Sequence, residues 1–258
     1  MEILFELEDM RLEKEGKLAW VTFSREQYLN AMSNSCTLQL NRLAMALRED
    51  PEVRVVVIRG QGRAFSTGID LKEFSAGQIE MVYHQRWERA LRLFETMEKL
   101  VIVGMHGYCL GGALQLALAC DIRVSTLDCQ LGLPAIKESL IPGLSVWRLP
   151  RYVGWGRAKK LIFGGQSLTG QEAFQIGLVD HLVPGENFFD HLDVMAETYL
   201  KSCSTGTRMS KLVLNQAFDM DYETILDYYM KLQERTQYSL DAEEGKRAYL
   251  EKREPRWQ

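Results

Sequence analysis

No two of the five cysteines (Cys36, Cys109, Cys120, Cys129, Cys203) form a Cys-x-x-Cys pair, and their number is odd. Neither a disulfide framework nor a zinc site is suggested, and free thiols in a reducing compartment fit the count. The four histidines, His84, His106, His181 and His191, lack the close spacings of a dedicated metal site, so no metal is expected. Charge of one sign is also missing. There are 31 Lys plus Arg against 35 Asp plus Glu, a net charge of -4 with no basic cluster, which gives a nucleic acid nothing to grip. The first six residues, Met1 to Glu6, carry acid where a secretory or mitochondrial leader carries base, so no cleaved or exported segment is expected. The longest nearly uncharged run, Val101 to Cys120, is broken by glycines, His106 and Gln115, and reads as buried core instead of a bilayer span. A cytoplasmic protein without a membrane partner is the expectation.

Several nucleotide and nucleophile signatures are absent too. Gly60-Gln61-Gly62-Arg63-Ala64-Phe65 lacks the third glycine of a dinucleotide fingerprint, and no Gly-Lys-Ser/Thr phosphate loop occurs. Gly143-Leu144-Ser145-Val146-Trp147 begins like a nucleophile elbow but ends in Trp where the tight turn wants glycine, so it is read as structural.

What is present is the composition of a soluble globular protein: 258 residues, 46% hydrophobic and 26% charged, enough for one large domain with an appendage. Leu18 to Phe23 and Val53 to Ile58 read as strands, the second β-branched and covered on both faces. Between them Leu40, Leu43, Ala44 and Leu47 recur at helical spacing up to Asp50-Pro51. Trp87, Ala90, Leu91 and Phe94 give a second helix, followed by the strand Val101 to Val103. Beyond Trp155 the pattern turns mostly helical, with a capping box at Thr169 and Glu172 and one late strand near Leu178 to Val183.

The chemistry-bearing segments are RAFSTGIDLKEF (Arg63 to Phe74) and HGYCLGGALQLALACD (His106 to Asp121), each placing glycine where a strand hands over to a helix. Glycine tolerates positive φ and close approach, so each loop can aim an unpaired N–H into a pocket. Two such groups converging on one oxygen make an oxyanion hole, although two ordinary tight turns would look the same. Asp70 reads as a loop-bracing carboxylate, His106 as a packing or hydrogen-bonding residue, and His84 as a solvated helix residue that would otherwise face a pocket.

Together these phrases resemble the crotonase superfamily, the enoyl-CoA hydratase/isomerases, and the likeness runs nearly the whole length. Arg25-Glu26-Gln27-Tyr28-Leu29-Asn30-Ala31 matches its RxxxLNA pattern, and Pro134 to Gly143, Gln171 to Val179 and Glu244 to Pro255 look like further family segments. The resemblance implies an α/β fold with a ββα spiral core. Residues 1–190 would be the acyl-CoA-binding part, and 191–258 a helical region for oligomerisation, as a trimer or a dimer of trimers, that completes the CoA site. It implies that the N–H groups of Ile69 and Gly112 hold a thioester carbonyl oxygen and stabilise an enolate. Arg25, Tyr28, Asp70, Leu71, Lys72 and Ala135 would touch substrate, with Lys72 near the CoA adenine or phosphates and Lys252 of a neighbouring subunit near a phosphate. No cofactor beyond the CoA moiety is implied.

The chain departs from the family at both hydratase carboxylates. Three residues after the second oxyanion glycine stands Gln115, and directly after Pro134 stands Ala135, where hydratases place glutamates. An amide can orient a water or a substrate group but cannot carry a proton near neutral pH, and Ala135 can do neither. Glu138, three residues on, is the substitute acid, able to shuttle a proton between α- and γ-carbons as an isomerase does; a surface glutamate on a turn is the alternative. Tyr83 and His84 follow it. The expected function is therefore enoyl-CoA hydratase/isomerase-like chemistry on an acyl-CoA through an enolate. The competing readings are a catalytically weak acyl-CoA binding or sensing protein, a decarboxylase or hydrolase, and a protein acting on acyl carrier protein thioesters.

Overall fold

A computed structural model describes residues 1–257. Strands Glu2–Glu6 (β1), Met10–Glu15 (β2) and Leu18–Phe23 (β3) lead into helix Asn34–Glu49 (α1) and strand Val55–Gly60 (β4). Helices Leu71–Ser75 (α2) and Met81–Thr96 (α3) precede strands Leu100–Met105 (β5) and Tyr108–Leu110 (β6). Then come helix Gly112–Leu118 (α4), strands Ile122–Thr126 (β7) and Gln130–Gly132 (β8), and a 3-10 turn over Pro134–Glu138. Helices Ser145–Val153 (α5) and Trp155–Gly164 (α6), strand Ser167–Thr169 (β9), helix Gly170–Gln175 (α7) and strand His181–Val183 (β10) complete the core. Phe188–Ser202 (α8), Thr205–Leu214 (α9), Tyr222–Gln237 (α10) and Leu240–Glu251 (α11) follow.

Seven strands form one sheet in the order β1-β2-β3-β4-β5-β7-β10, and β6-β8-β9 form a second, smaller one. The large sheet is antiparallel from β1 to β3 and parallel from β3 onward. Its period-two alternation feeds two cores. Ala19, Val21, Val56, Ile58, Val101 and Val103 point to the side of α1, α3 and α4, whereas Leu18, Trp20, Val55, Val57, Leu100 and Ile102 point to α8. Helix α8 packs so closely on β5 that a Cβ on Gly104 would make the buried Leu192 side chain shift.

The fold is the mixed α/β one expected, and Leu18–Phe23 and the faces of α1 and α3 fall where their patterns place them. The Val53 strand runs two residues later, and only His181–Val183 of the expected late strand pairs. Six strands, β1, β2, β6, β7, β8 and β9, escape the sequence pattern. Four of the six residues in β2 (MRLEKE) are charged, and β6, β8 and β9 are three residues long, set inside or beside the loops. The capping box is present: Glu172 N–H donates to Thr169 Oγ1 at 3.2 Å, and Thr169 N–H to Glu172 Oε2 at 2.8 Å.

The last helices are tied in by buried charge. Lys211 of α9 reaches Asp121 Oδ2 and the carbonyls of Phe94 and Lys99, each at 2.8 Å. In α11, Asp241 accepts from Thr205 N–H at 2.7 Å. Helix α10 buries none of its residues, and Leu214, Phe218, Tyr222 and Met230 of α9, α10 and their connection are exposed. Among the described residues no helix is long and apolar enough to cross a membrane.

Candidate active site

The first glycine loop is stitched to β6 by backbone hydrogen bonds. Phe65 and Ser66 N–H donate to His106 and Tyr108 carbonyls at 2.9 Å each, and Leu110 N–H to Ser66 at 3.2 Å. Asn30, held at φ 54°, locks the loop from the other side, donating from Nδ2 to the carbonyls of Gln61 and Ala64 at 2.9 Å. Ser66 Oγ donates to Asn30 O at 2.7 Å and accepts from Gly68 N–H at 3.1 Å. His106 Nε2 sits 2.9 Å from Gly62 O, so this histidine braces the loop. Burial pushes its pKa below the ordinary value, outweighing that carbonyl.

Met32 N–H donates to Gly68 O at 2.7 Å and Asp70 N–H to Met32 O at 3.1 Å. In such a bridge the intervening N–H, that of Ile69, turns the other way. Gly112 is the first residue of α4, so its N–H has no partner within the helix. Among the described residues neither N–H finds an acceptor. The two loops touch. A Cβ on Gly68, at φ 84°, would stand 2.5 Å from Leu110 O and 3.0 Å from Gly112 N. Gly111, at φ 53° and ψ -117°, makes the turn into α4 in a conformation that glycine alone adopts readily.

Ile69, Leu71, Gly112, Gln115, Ala135 and Glu138 line one cavity. Gln115 is only 8% exposed, and its Oε1 accepts the Trp87 indole N–H at 2.9 Å. Glu138 lies at the end of the Pro134–Glu138 turn, half-buried, with no hydrogen bond or ion pair among the described residues. The turn closes with Ser139 in the left-handed region, φ 58°. His84, expected to be solvated, lines the cavity half-buried, because it lies on the turn of α3 between Tyr83 and Trp87 that faces the loops. Tyr83 also lines it, but its hydroxyl donates to Met32 O at 3.0 Å and burial drives its pKa far up. Among the described residues, Glu138 and His84 are thus the titratable lining residues without a hydrogen bond or ion pair, the His84 ring resting edge-on against Tyr83.

Sequence reasoning took Trp87 as core alone, whereas its indole N–H also fixes the Gln115 amide. A tryptophan one helical turn beyond Tyr83 on a pocket helix was the available signal. Thr67, Leu140 and Ile141 in the lining carried none.

Arg25, Tyr28, Asp70 and Lys72 gather beside the cavity, next to Ile69. Asp70 caps α2, accepting from Lys72 and Glu73 N–H at 2.9 and 3.3 Å, and pairs with Arg25 Nη1 at 2.6 Å. Burial alone would raise its carboxyl, but Arg25 and those N–H groups outweigh it and hold the pKa below the ordinary value. The Arg25 guanidinium lies 4.4 Å and Lys72 Nζ 5.3 Å from the Tyr28 ring centre. Asp70→Ala removes a helix cap and a partner of Arg25, and should cost about 0.5–2 kcal/mol in urea unfolding. Asp70 contributes its stability above pH 3.8 and loses it as pH falls through the lower folded value, so the gap between the two proteins should close in acid. Lys252 stands apart, capping the C-terminus of α11 at φ 52° and outside the cavity lining.

Ser145, of the elbow-like segment, starts α5 with its Oγ buried and unpaired, and does not line this cavity. Among the described residues no three His, Cys, Asp or Glu side chains come together as a metal site. Chemically, the arrangement offers two unspent N–H groups at the junction of two loops and one unpaired carboxylate in the same cavity.

The family model described as enoyl-CoA hydratase/isomerase matches residues 13–258. The chain is 32% identical over 251 residues to the crotonyl-CoA hydratase of Syntrophomonas wolfei, covering 95% of this chain and 96% of that one. It is 30% identical over 254 residues to the short-chain-enoyl-CoA hydratase of Clostridium acetobutylicum, covering 96% and 97%. The crystal structure of the enoyl-CoA hydratase from Bacillus anthracis superimposes with a TM-score of 0.91 at 29% identity, covering 97% of this chain and 99% of the other.

Proposed function

The chain belongs to the enoyl-CoA hydratase/isomerase family, and from that premise we infer that it binds an acyl-CoA thioester and reacts through its enolate, with Glu138 moving the proton. The observation that carries this reading is the meeting, in one cavity, of two loops with unspent N–H groups and a lone unpaired carboxylate. The N–H groups of Ile69 and Gly112 take the thioester oxygen as charge builds on it, where preorganised donors act most strongly. Glu138 then accepts a proton from Cα and returns it at Cγ, which moves a 3,4 double bond into conjugation with no water added. Arg25, Tyr28, Asp70, Leu71 and Lys72 hold the CoA side of the substrate. In a trimer or a dimer of trimers, Lys252 of a neighbouring copy adds a charge to a phosphate. The CoA moiety is the only cofactor in this reading, and the protein works in the cytoplasm.

Hydration is disfavoured because Gln115 and Ala135 occupy the positions of the two carboxylates that water addition uses in hydratases. The same pair of residues favours, as a second reading, a protein that binds acyl-CoA without turning it over. Incubation with 2-enoyl- and 3-enoyl-CoA esters, followed by mass spectrometry and ultraviolet absorbance, separates these. Conversion of 3-enoyl to 2-enoyl ester at unchanged mass supports the isomerase reading, and gain of one water by the 2-enoyl ester at comparable rate contradicts it. Saturable binding with every ester unchanged supports the second. A parallel arm with carrier-protein-linked esters reads the choice of carrier.

A further inference from the structure

One carboxylate outside the cavity lining joins two of the segments that build it. Glu88 lies on α3 one turn beyond His84 and next to Trp87, both of which line the cavity. Its Oε2 accepts from Arg148 Nη1 of α5 at 2.9 Å, and its Oε1 accepts from the backbone N–H of Leu144 at 2.9 Å. Leu144 stands just before α5 and closes the segment 139–144, which begins directly after Glu138 and puts Leu140, Ile141 and Gly143 into the lining. Ser139 and Gly143 sit at φ 58° and 49°, so no regular helix or strand holds this segment in place. Among the described residues its other hydrogen bonds stay within residues 135–148, which leaves Glu88 as its tie to α3. Gly143 passes so close that a Cβ there would stand 2.9 Å from Glu88 Oε1. The anchor beneath is firm: the Arg148 side chain is only 3% exposed, and its Nε also donates to Glu95 Oε1 at 2.5 Å. Glu95 shares the buried cation with Glu88, but among the described residues its side chain makes no bond to the segment 139–144.

We propose that Glu88 is a positioning residue: seated on Arg148, it pins Leu144 and, through the segment 139–144, sets where Glu138 stands relative to Ile69 and Gly112. This rests on the reading given above, in which Glu138 moves the proton of a bound thioester. A proton carrier must come within hydrogen-bond reach of the proton it takes, and a displacement of about 1 Å can cost on the order of 100-fold in rate. Balancing the Arg148 charge is a task that Glu88 shares with Glu95. The reach to Leu144 N–H belongs to Glu88, and it is the reach, not the charge, that turnover depends on.

Two conservative variants separate reach from charge, with kcat and KM for conversion of a 3-enoyl-CoA ester measured beside a melting curve for each. Glu88→Asp keeps the charge at Arg148 but is too short to hold Leu144 as well, and its kcat should fall about 10-fold to 100-fold while KM moves far less. Glu88→Gln keeps the length and an oxygen for Leu144 N–H, and should retain most of the native kcat although it gives up the charge. Glu95→Gln, which weakens the same ion pair away from the segment, should melt lower than the native protein with near-native kcat. Near-native kcat in Glu88→Asp, a greater loss in Glu88→Gln than in Glu88→Asp, or turnover that follows melting temperature through all three variants would overturn the proposal. Should one Glu88 variant fail to fold, the other read against Glu95→Gln still decides, because the proposal fixes the kcat of each. Failure of the native protein to convert any 3-enoyl-CoA ester would instead overturn the reading beneath it.

Discussion

Gly68→Ala should lower turnover of a CoA ester by about 100-fold to 1000-fold, the usual consequence of misplacing one oxyanion donor. The substitution touches neither proton carrier nor acyl wall. Its Cβ would stand 2.5 Å from the Leu110 carbonyl and 3.0 Å from Gly112 N, both backbone atoms that cannot rotate away. At φ 84° an alanine is also strained whatever the space around it. The second loop must move, and Gly112 N–H moves with it, while Ile69 is the next residue on the first. Thermal unfolding should fall by the equivalent of about 1–3 kcal/mol, the cost of an unfavourable backbone conformation. Steady-state kinetics beside a melting curve separates the two effects: a folded variant with near-native turnover would show that these loops do not build the oxyanion site.

Glu138→Gln should lower turnover by about 100-fold to 10,000-fold with only a small change in ester affinity, because it keeps the shape and removes the proton. Glutamine at that position still accepts and donates hydrogen bonds but cannot carry a proton from Cα to Cγ. His84→Gln, across the same cavity, is the control. Loss of turnover in His84→Gln with retention in Glu138→Gln would transfer the proton to the imidazole.

Much of this molecule could be read before its coordinates. The strand Leu18–Phe23 and the buried faces of α1 and α3 follow from period-two and helical spacing, which local packing enforces strongly. The glycine loops were also legible, since positions that need positive φ or close approach restrict the residue type. What the pattern hid was short or charged: β2 is mostly charged, with Arg11 paired to Glu13 and Lys14 to Asp50 and Glu52, and β6, β8 and β9 are too short for a period to appear. In the site, the resemblance named Ile69, Gly112, Gln115 and Ala135, and the fold brings them to one cavity. Which way Glu138 and His84 turn was not legible, because it depends on the Pro134–Glu138 turn and the rotation of α3 against the loops. The Trp87 to Gln115 hydrogen bond joins residues 28 apart, and only the packing of α3 on α4 reveals it.

The most direct test of the account is the conversion of a 3-enoyl-CoA ester in D2O, followed by ultraviolet absorbance and mass spectrometry with native protein and with Glu138→Gln. The account predicts conversion to the 2-enoyl ester with any deuterium placed at Cγ, where Glu138 returns its proton, no addition of D2O, and loss of conversion in Glu138→Gln. Saturable binding with no conversion, or conversion that persists undiminished in Glu138→Gln, would contradict it.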